Sequence, residues 1–399
     1  MNILYISSVC AQSRFDRCVN KGLINGQFQN QKFHHLLLKG LSESKDLDII
    51  VVSFYPINRN QKINCQYEEE EENGVHYVYP QYTNRPIIHH VEKFLRTYQF
   101  LKKNRQSDSV IVCNVMNFDE CAAALTYRIF HNIKICAITA DVPGLTSGAQ
   151  KKVGAWWKRM IWSMTYPFYK TMSTHYNAYF LLSYAMNDVI NPKKKPYIVV
   201  EGLSDLSIQN INNIVEEKYP MKTMMYAGGL HREYGIELLI EAFRKLDDDN
   251  FELHVFGKGN YEKELIRITE EDHRIKYFGT KPNFEVVNAQ LKAHVLVNPR
   301  PTNAEFVKYS FPSKVIECMS SGTPLLTTHI PSMPDEYLPF VYLIDDESVN
   351  GFFNAIRNVL SLPNNILEKK GYEAKSFILK KKNYMVQSKK FYNFLQDIV

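Results

Sequence analysis

No two cysteines of this chain stand at C-x-x-C spacing, and its seven (Cys10, Cys18, Cys65, Cys113, Cys121, Cys136, Cys318) are odd in number and scattered. That excludes a disulfide framework, a structural zinc site and a dithiol redox centre, and it fits a reducing compartment. Several lie in apolar, strand-like runs where a free thiol acts as a small core hydrophobe, so no catalytic cysteine is expected. No apolar run is long enough to span a bilayer. The opening Met1-Asn2-Ile3-Leu4-Tyr5-Ile6 has neither a basic n-region nor a long apolar h-region, and is read as a buried strand, not a signal peptide. There is no internal repeat and no recognisable nucleic-acid module, so no nucleic-acid partner is expected. Charge of one sign is also in short supply: +6 over 399 residues makes its distribution matter more than its sum.

What is present is a folding composition, 45% hydrophobic and 23% charged, on a chain too long for one ordinary core, so two domains are expected. Strand-like and helix-like segments alternate, which predicts α/β architecture with mainly parallel sheets. Strands are predicted at 2–8, 48–54, 75–79, 109–115, 133–139, 178–182 and 197–201, with a helix over Gln31 to Leu41. From Thr223 the alternation restarts: strands at 223–227, 251–256, 275–278, 294–298, 324–327 and 341–344, and helices at 235–246, 261–270, 284–292, 312–320 and 349–361. The polar stretch Leu206 to Lys222 is read as the linker. The expected fold is two Rossmann-like domains facing a cleft, 1–205 and 206–380, with a last helix in 381–399 packing back on the first. The Glu68 to Glu72 run is predicted to be a solvated loop.

The most informative stretch is Tyr309-Ser310-Phe311-Pro312-Ser313-Lys314-Val315-Ile316-Glu317-Cys318-Met319-Ser320-Ser321-Gly322-Thr323-Pro324. Pro312 has the preset φ that suits a first turn, and a helix start there favours a phosphate through its free N–H groups and dipole. Lys314 adds a mobile point charge for a diphosphate, and Glu317, on the same helix face, can accept from a ribose diol. An amphipathic helix with a Lys/Glu surface pair is the alternative. A second element is the turn Gly228-Gly229-Leu230-His231-Arg232 after a predicted strand; its glycines let backbone approach a ligand, and Arg232 can pair with the same diphosphate. A third loop carries Gly257 and Gly259. A fourth, Phe278-Gly279-Thr280-Lys281-Pro282, offers groups to a base edge. Four such loops at strand ends of one domain predict a nucleotide-diphosphate pocket.

Over residues 223–346 these motifs resemble the donor-binding domain of retaining glycosyltransferase family 4, with its GT-B fold. They are similar to bacterial surface-polysaccharide transferases that carry a Ser-Phe-Pro-Ser-Lys loop. The resemblance implies a nucleotide-sugar donor, a UDP-sugar, in the second domain and a glycan or lipid-linked acceptor in the first. It further implies transfer between them, without a bound metal or cofactor. It places Lys314 and Arg232 at the diphosphate, Glu317 at the ribose and the Gly228-Gly229 turn at the phosphates; Gly257, Lys281 and Ser313 complete the donor loops. Two departures stand out. Tyr309 occupies the first position of the family's pair of glutamates, leaving Glu305 to reach the donor sugar from the loop. Gly229 and Tyr234 stand where the family has an arginine and a lysine.

In the first half, Asp141 ends a predicted strand at a loop, where it can orient an acceptor hydroxyl or act as its base, or simply cap its own Pro-Gly turn. His34 and His35 are read as core or surface histidines. Asp46-Leu47-Asp48 and Asp247-Asp248-Asp249 fall before strands and are read as solvated turns, so no metal site is predicted. All three tryptophans lie among basic residues in Lys151, Lys152, Trp156, Trp157, Lys158, Arg159 and Trp162. Tryptophan interleaved with charge is a poor core pattern and a good interfacial one, so a membrane-docking helix is expected, and with it a cytoplasmic protein peripheral on the inner face of a membrane. A nucleotide-sugar epimerase or sugar-phosphate synthase, and a non-catalytic nucleotide- or glycan-binding subunit, are the other readings.

Overall fold

The computed structural model describes residues 1–399 apart from 25–27, 55–56, 58–63, 86, 143–166 and 212. The chain forms two units, Met1–Leu203 with Tyr384–Val399, and Ser204–Asn383. Each is built on a mainly parallel sheet with helices between its strands, the α/β, two-Rossmann-domain architecture that the alternation predicts. No helix among the described residues is long and apolar enough to cross a membrane.

In unit 1 the strands are β1 (Asn2–Ser7), β2 (Asp48–Ser53), β3 (Asn64–Cys65), β4 (Glu68–Glu72), β5 (Val75–Tyr79), β6 (Tyr82–Thr83), β7 (Ser109–Asn114), β8 (Lys134–Thr139), β9 (Ala178–Leu181) and β10 (Tyr197–Val199). The main sheet runs β10-β9-β8-β7-β1-β2-β5-β4, and strand order reverses direction between β1 and β7. Every residue of β1 and β7 is buried, which is why these strands read as continuous apolar runs and not as alternating ones. The predicted loop at Glu68 to Glu72 is instead the edge strand β4, paired antiparallel with β5 from Glu68↔Tyr79 to Glu72↔Val75. Arg14 draws two of the glutamates down, bonding Glu68 and, at 2.8 Å from Nε, Glu70. The remaining carboxylates make this edge a poor template for another strand. The last helix, Tyr384–Ile398, belongs to this unit: Ser388 Oγ donates to Leu37 O (3.0 Å) and Phe391 meets Phe180 edge-on at 4.8 Å.

Unit 2 holds β11 (Lys222–Ala227), β12 (Phe251–Phe256), β13 (Ile275–Tyr277), β14 (Val295–Asn298), β15 (Leu325–Thr328) and β16 (Tyr342–Ile344), all parallel, in the order β13-β12-β11-β14-β15-β16. This is the doubly wound order, with its switch point between β11 and β14. Strand residues alternate between two cores: Met224, Leu253, Val295 and Val297 pack with helices Ile236–Arg244 and Val349–Leu360, while Met225, Leu296 and Leu325 pack with Ser313–Ser321 and Asn364–Lys381. The helix Asn364–Lys381, which the sequence reading leaves unassigned, closes that second face.

Candidate functional site

The site of interest sits at the β11–β14 switch point. After β11 the backbone turns through Gly228 and Gly229, and this turn is laced to its neighbours: Gly228 N donates to Phe256 O (3.0 Å), Leu230 N to Lys258 O (3.0 Å) and Gly257 N to Gly279 O (2.8 Å). Gly257 has φ +128°, and a Cβ there would stand 1.8 Å from Gly228 O, so only glycine lets the β12 loop lie against the β11 turn. On the other side Gly235 (φ +82°) lets the next helix start against β14's exit; a Cβ there would be 1.9 Å from Pro299 O. Tyr226 Oη donates to Gly229 O (2.8 Å) and fixes the turn from beneath.

Beyond β14 the chain runs through a short 3-10 turn, Glu305–Lys308, to the helix Ser313–Ser321, with Pro312 at its N-cap (φ −73°, ψ 114°) and Gly322 (φ +81°) at its C-cap. The first-turn N–H groups of a helix have no intrahelical carbonyl to bond, and the dipole is positive there. Between this helix start and the glycine turn lies a cavity of about 270 Å³, whose lining includes Gly228, Gly229, Tyr234, Arg300, Ser313 and Lys314. Buried Cys318 also borders it; burial pushes its thiol up to about 12, which keeps it protonated and unreactive.

The cavity therefore gathers Gly228, Gly229, Ser313 and Lys314 of the predicted residues and leaves the others outside its lining. Glu317 is half-buried one turn along the helix, its Oε2 4.0 Å from Lys314 Nζ. Tyr309 is half-buried and closes the short turn, its N donating to Phe306 O (3.1 Å), while Glu305 is exposed. Lys281 is exposed and faces Glu285 at 3.6 Å. Gly257 supports the glycine turn from behind. Arg232 is half-exposed, paired with Glu237 and held 4.8 Å over the Tyr261 ring, outside the described lining of the cavity.

Sequence reasoning gives no role to Arg300, which does line the cavity. Its signal is position, since Asn298-Pro299-Arg300-Pro301 leaves the carboxyl end of β14, the address at which a doubly wound sheet puts ligand-contacting residues. Asp141 is exposed, two residues past β8 in unit 1. His34 is fully buried in that unit, and burial lowers its pKa to about 3. The tryptophan-rich set Lys151, Lys152, Trp156, Trp157, Lys158, Arg159 and Trp162 lies outside the described residues. Among the described residues no three His, Cys, Asp or Glu side chains are grouped to hold a metal ion. Asp248 Oδ1 instead accepts from Asn250 N (2.9 Å) in a turn.

Solved structures align over the whole chain at low identity. A lipopolysaccharide outer core galactosyltransferase, WaaB, matches with a TM-score of 0.66 at 14% identity, each chain covered completely. Anabaena HepE, in complex with UDP and glucose, gives 0.64 at 11% over both full chains, and a sucrose-phosphate synthase from Thermosynechococcus elongatus 0.64 at 13%, again over both. The fold is GT-B. Within this GT-B chain, residues 207–377 match the model of the family described as glycosyl transferases group 1, a span that falls within unit 2. No curated protein sequence matches the chain. The family-model match over residues 207–377 supports glycosyl transfer as the class of reaction, and the solved neighbours show the fold.

Proposed function

We propose that the protein transfers a sugar from a nucleoside-diphosphate sugar, a UDP-sugar, to a glycan or lipid-linked acceptor in surface polysaccharide synthesis, with retention at the anomeric carbon. The observation that carries this reading is the β11–β14 cavity, where the Gly228-Gly229 backbone, the start of the helix at Ser313 and the Lys314 ammonium surround one space. A glycine turn without side chains, a helix dipole and a cation favour an anion of diphosphate size. In the transfer, the anomeric carbon–oxygen bond to the diphosphate breaks as the acceptor oxygen bonds to that carbon, and the acceptor proton leaves to the departing phosphate or a carboxylate. The groups around the cavity stabilise the charge that grows on the leaving diphosphate, and holding donor and acceptor in register supplies the rest. Glu317, one turn beyond Lys314, is assigned to the ribose and steadies the ammonium. Asp141 is assigned to the acceptor hydroxyl, and the basic, tryptophan-rich segment 151–162 to the inner face of a membrane, where a lipid-linked acceptor resides.

The UDP and glucose bound by HepE, a structure of the same fold, support the choice of base and donor class. The test is release of UDP by purified protein offered UDP-glucose, UDP-galactose and other nucleotide sugars, with and without lipid-linked acceptor. Turnover that needs an acceptor supports transfer; conversion of one nucleotide sugar into another without acceptor points to an epimerase. Tyr309, standing where an acidic residue is expected, favours one further reading, a non-catalytic nucleotide-binding subunit. Tight UDP binding without release of product on any acceptor is the result that selects it.

A further inference from the structure

Arg300 differs from the other arginines withdrawn from solvent in this protein. Arg14 is held by Glu68 and Glu70, and Arg274 by Asp272 at 2.8 Å. In both, the carboxylates hold the guanidinium's pKa above its ordinary value. Arg300 has no carboxylate paired with it among the described residues, its buried Nε has no hydrogen-bond partner, and burial pulls its pKa down. What surrounds the group is aromatic: its Cζ lies 5.0 Å from the centre of the Phe306 ring and 5.5 Å from that of Tyr234. The faces of these rings attract a cation without neutralising it.

The backbone explains why this side chain is so placed. Pro301 biases Arg300 toward extended conformation, Thr328 Oγ1 donates to Arg300 O (2.6 Å), and the preceding Pro299 O is clamped against Gly235. Tyr234 and Phe306 come from the two short 3-10 turns that flank the cavity, Arg232–Tyr234 after the glycine turn and Glu305–Lys308 before the Ser313 helix. The guanidinium is thus fixed between the two loops that make the cavity. A desolvated cation with no counter-ion is unfavourable until an anion arrives, so such a site favours anion binding by relieving its own cost.

We infer that Arg300 binds the diphosphate of the nucleotide donor, supplying from the end of β14 the charge that the glycine turn of this chain lacks. The inference rests on the proposed nucleotide-sugar reading of the same cavity. Gly229 and Tyr234 stand where related sequences are expected to carry an arginine and a lysine; here Tyr234 has become the platform for a guanidinium delivered from another strand. Arg300 and Lys314 both line this cavity, and two cations suit the several charges of a diphosphate better than a single carboxylate. Because the planar fork can reach two phosphate oxygens, it acts on the leaving group directly and counts as a catalytic residue in transfer.

Calorimetric titration of the full chain with UDP, uridine and inorganic pyrophosphate, for the wild type, Arg300→Met and Arg300→Lys, tests this. Arg300→Met is expected to weaken UDP by about thirtyfold, the order of one lost charge-assisted pair, and uridine by less than about twofold. The ligand-free Arg300→Met protein is expected to melt no lower than the wild type, because a partly buried charge with no carboxylate partner among the described residues has been replaced by a side chain of similar volume. A purely structural arginine would instead cost stability and leave the ratio of UDP to uridine affinity alone. Wild-type binding of UDP with no loss in Arg300→Met overturns the inference and leaves the donor reading standing. Pyrophosphate binding that depends on Arg300 without any UDP binding overturns the UDP-donor reading and the inference with it, leaving Arg300 only as an anion ligand, and binding of neither probe by the wild type overturns both. Should Arg300→Met not fold, Arg300→Lys decides, since a point charge in place of the fork must weaken UDP more than uridine, and equal affinities overturn the assignment.

Discussion

The two units share the order of their central parallel strands and treat the switch point differently. At the β1–β7 junction of unit 1, side chains fill the space: His34, fully buried, bonds Tyr5 Oη through Nδ1 (2.5 Å) and accepts from Asn114 Nδ2 at Nε2 (2.9 Å). The turn after β1, Val9 to Ala11, is buried, and Gln31 Oε1 takes the Cys10 N–H (3.1 Å). At the β11–β14 junction of unit 2 the equivalent turn is Gly228-Gly229, with no side chain to cover it, and a cavity opens beside Lys314 and Arg300. The same central strand order therefore carries a buried polar cluster among the described residues of one unit and the proposed anion site in the other. What decides between them is which residue types follow the first strand, since the topology supplies only the crevice.

The contrast breaks most sharply at Lys314. Lys314→Ala is expected to lower transfer by about a hundredfold or more, the scale seen when one preorganised charge-stabilising group is removed, with the melting temperature nearly unchanged. His34→Ala, at the closed junction, should do the opposite: lower stability by about 2–4 kcal/mol while leaving UDP affinity alone. Turnover and thermal melts on the two variants read both. Loss of UDP binding in His34→Ala would join the two junctions functionally and break the comparison.

Next in size is Gly257→Ala. Its φ of +128° and the 1.8 Å approach to Gly228 O force the glycine turn to move, so a loss of about 2–4 kcal/mol together with weaker UDP binding is expected in denaturant melts and titrations. A variant that keeps wild-type affinity would mean that the turn does not shape the site.

The pH response sharpens the comparison because both units bury histidines whose pKa burial lowers, His34 in unit 1 and His254 and His294 in unit 2. Burial holds His34 to about 3; burial, then the charges of Lys222 and Lys218, holds His294, whose Nδ1 accepts from Thr223 N (3.1 Å), to about 4. Both values lie below the ordinary 6.5, so between 6.5 and 4 the unfolded chain binds more protons than the folded one. Stability is then full above about pH 6.5 and declines as pH falls toward the folded values. His294→Gln, which keeps an acceptor for Thr223 N and cannot titrate, should flatten that decline in melts between about pH 7 and pH 4.5. An unchanged slope would remove His294 from the account.

The smallest effect is expected at Arg232. Because it is half-exposed and paired with Glu237 outside the cavity lining, Arg232→Met should change UDP affinity by less than about threefold and stability by under about 1 kcal/mol. A loss as large as that expected at Arg300 would restore the diphosphate role to the glycine turn.

How far residues alone reach is visible in the same places. The α/β alternation was legible because parallel strands buried on both faces, such as β1 and β7, form unbroken apolar runs. The edge strand β4 was hidden because five consecutive glutamates carry a loop's composition; its order comes from Arg14 and from pairing with β5, both tertiary. The helix Asn364–Lys381 escaped notice because two of its four buried positions are Gly371 and Ala374, small residues that allow close approach and add almost nothing to an apolar pattern. A Cβ on Gly371 would lie 2.0 Å from Gly322 O. Within the site, the Gly-Gly turn and the Pro312-Ser313-Lys314 helix start announce themselves locally. The choice between Arg232 and Arg300 depends on Glu237, Tyr234 and Phe306, whose positions only the folded chain fixes.

The most direct measurement is diffraction from crystals of this protein soaked with UDP. The account predicts two phosphorus peaks between the Gly228-Gly229 turn and the start of the Ser313 helix, within reach of Lys314. Phosphorus density elsewhere, for instance in the larger groove beside Gln209, Tyr372 and Lys375, with the β11–β14 cavity filled only by water, would contradict it.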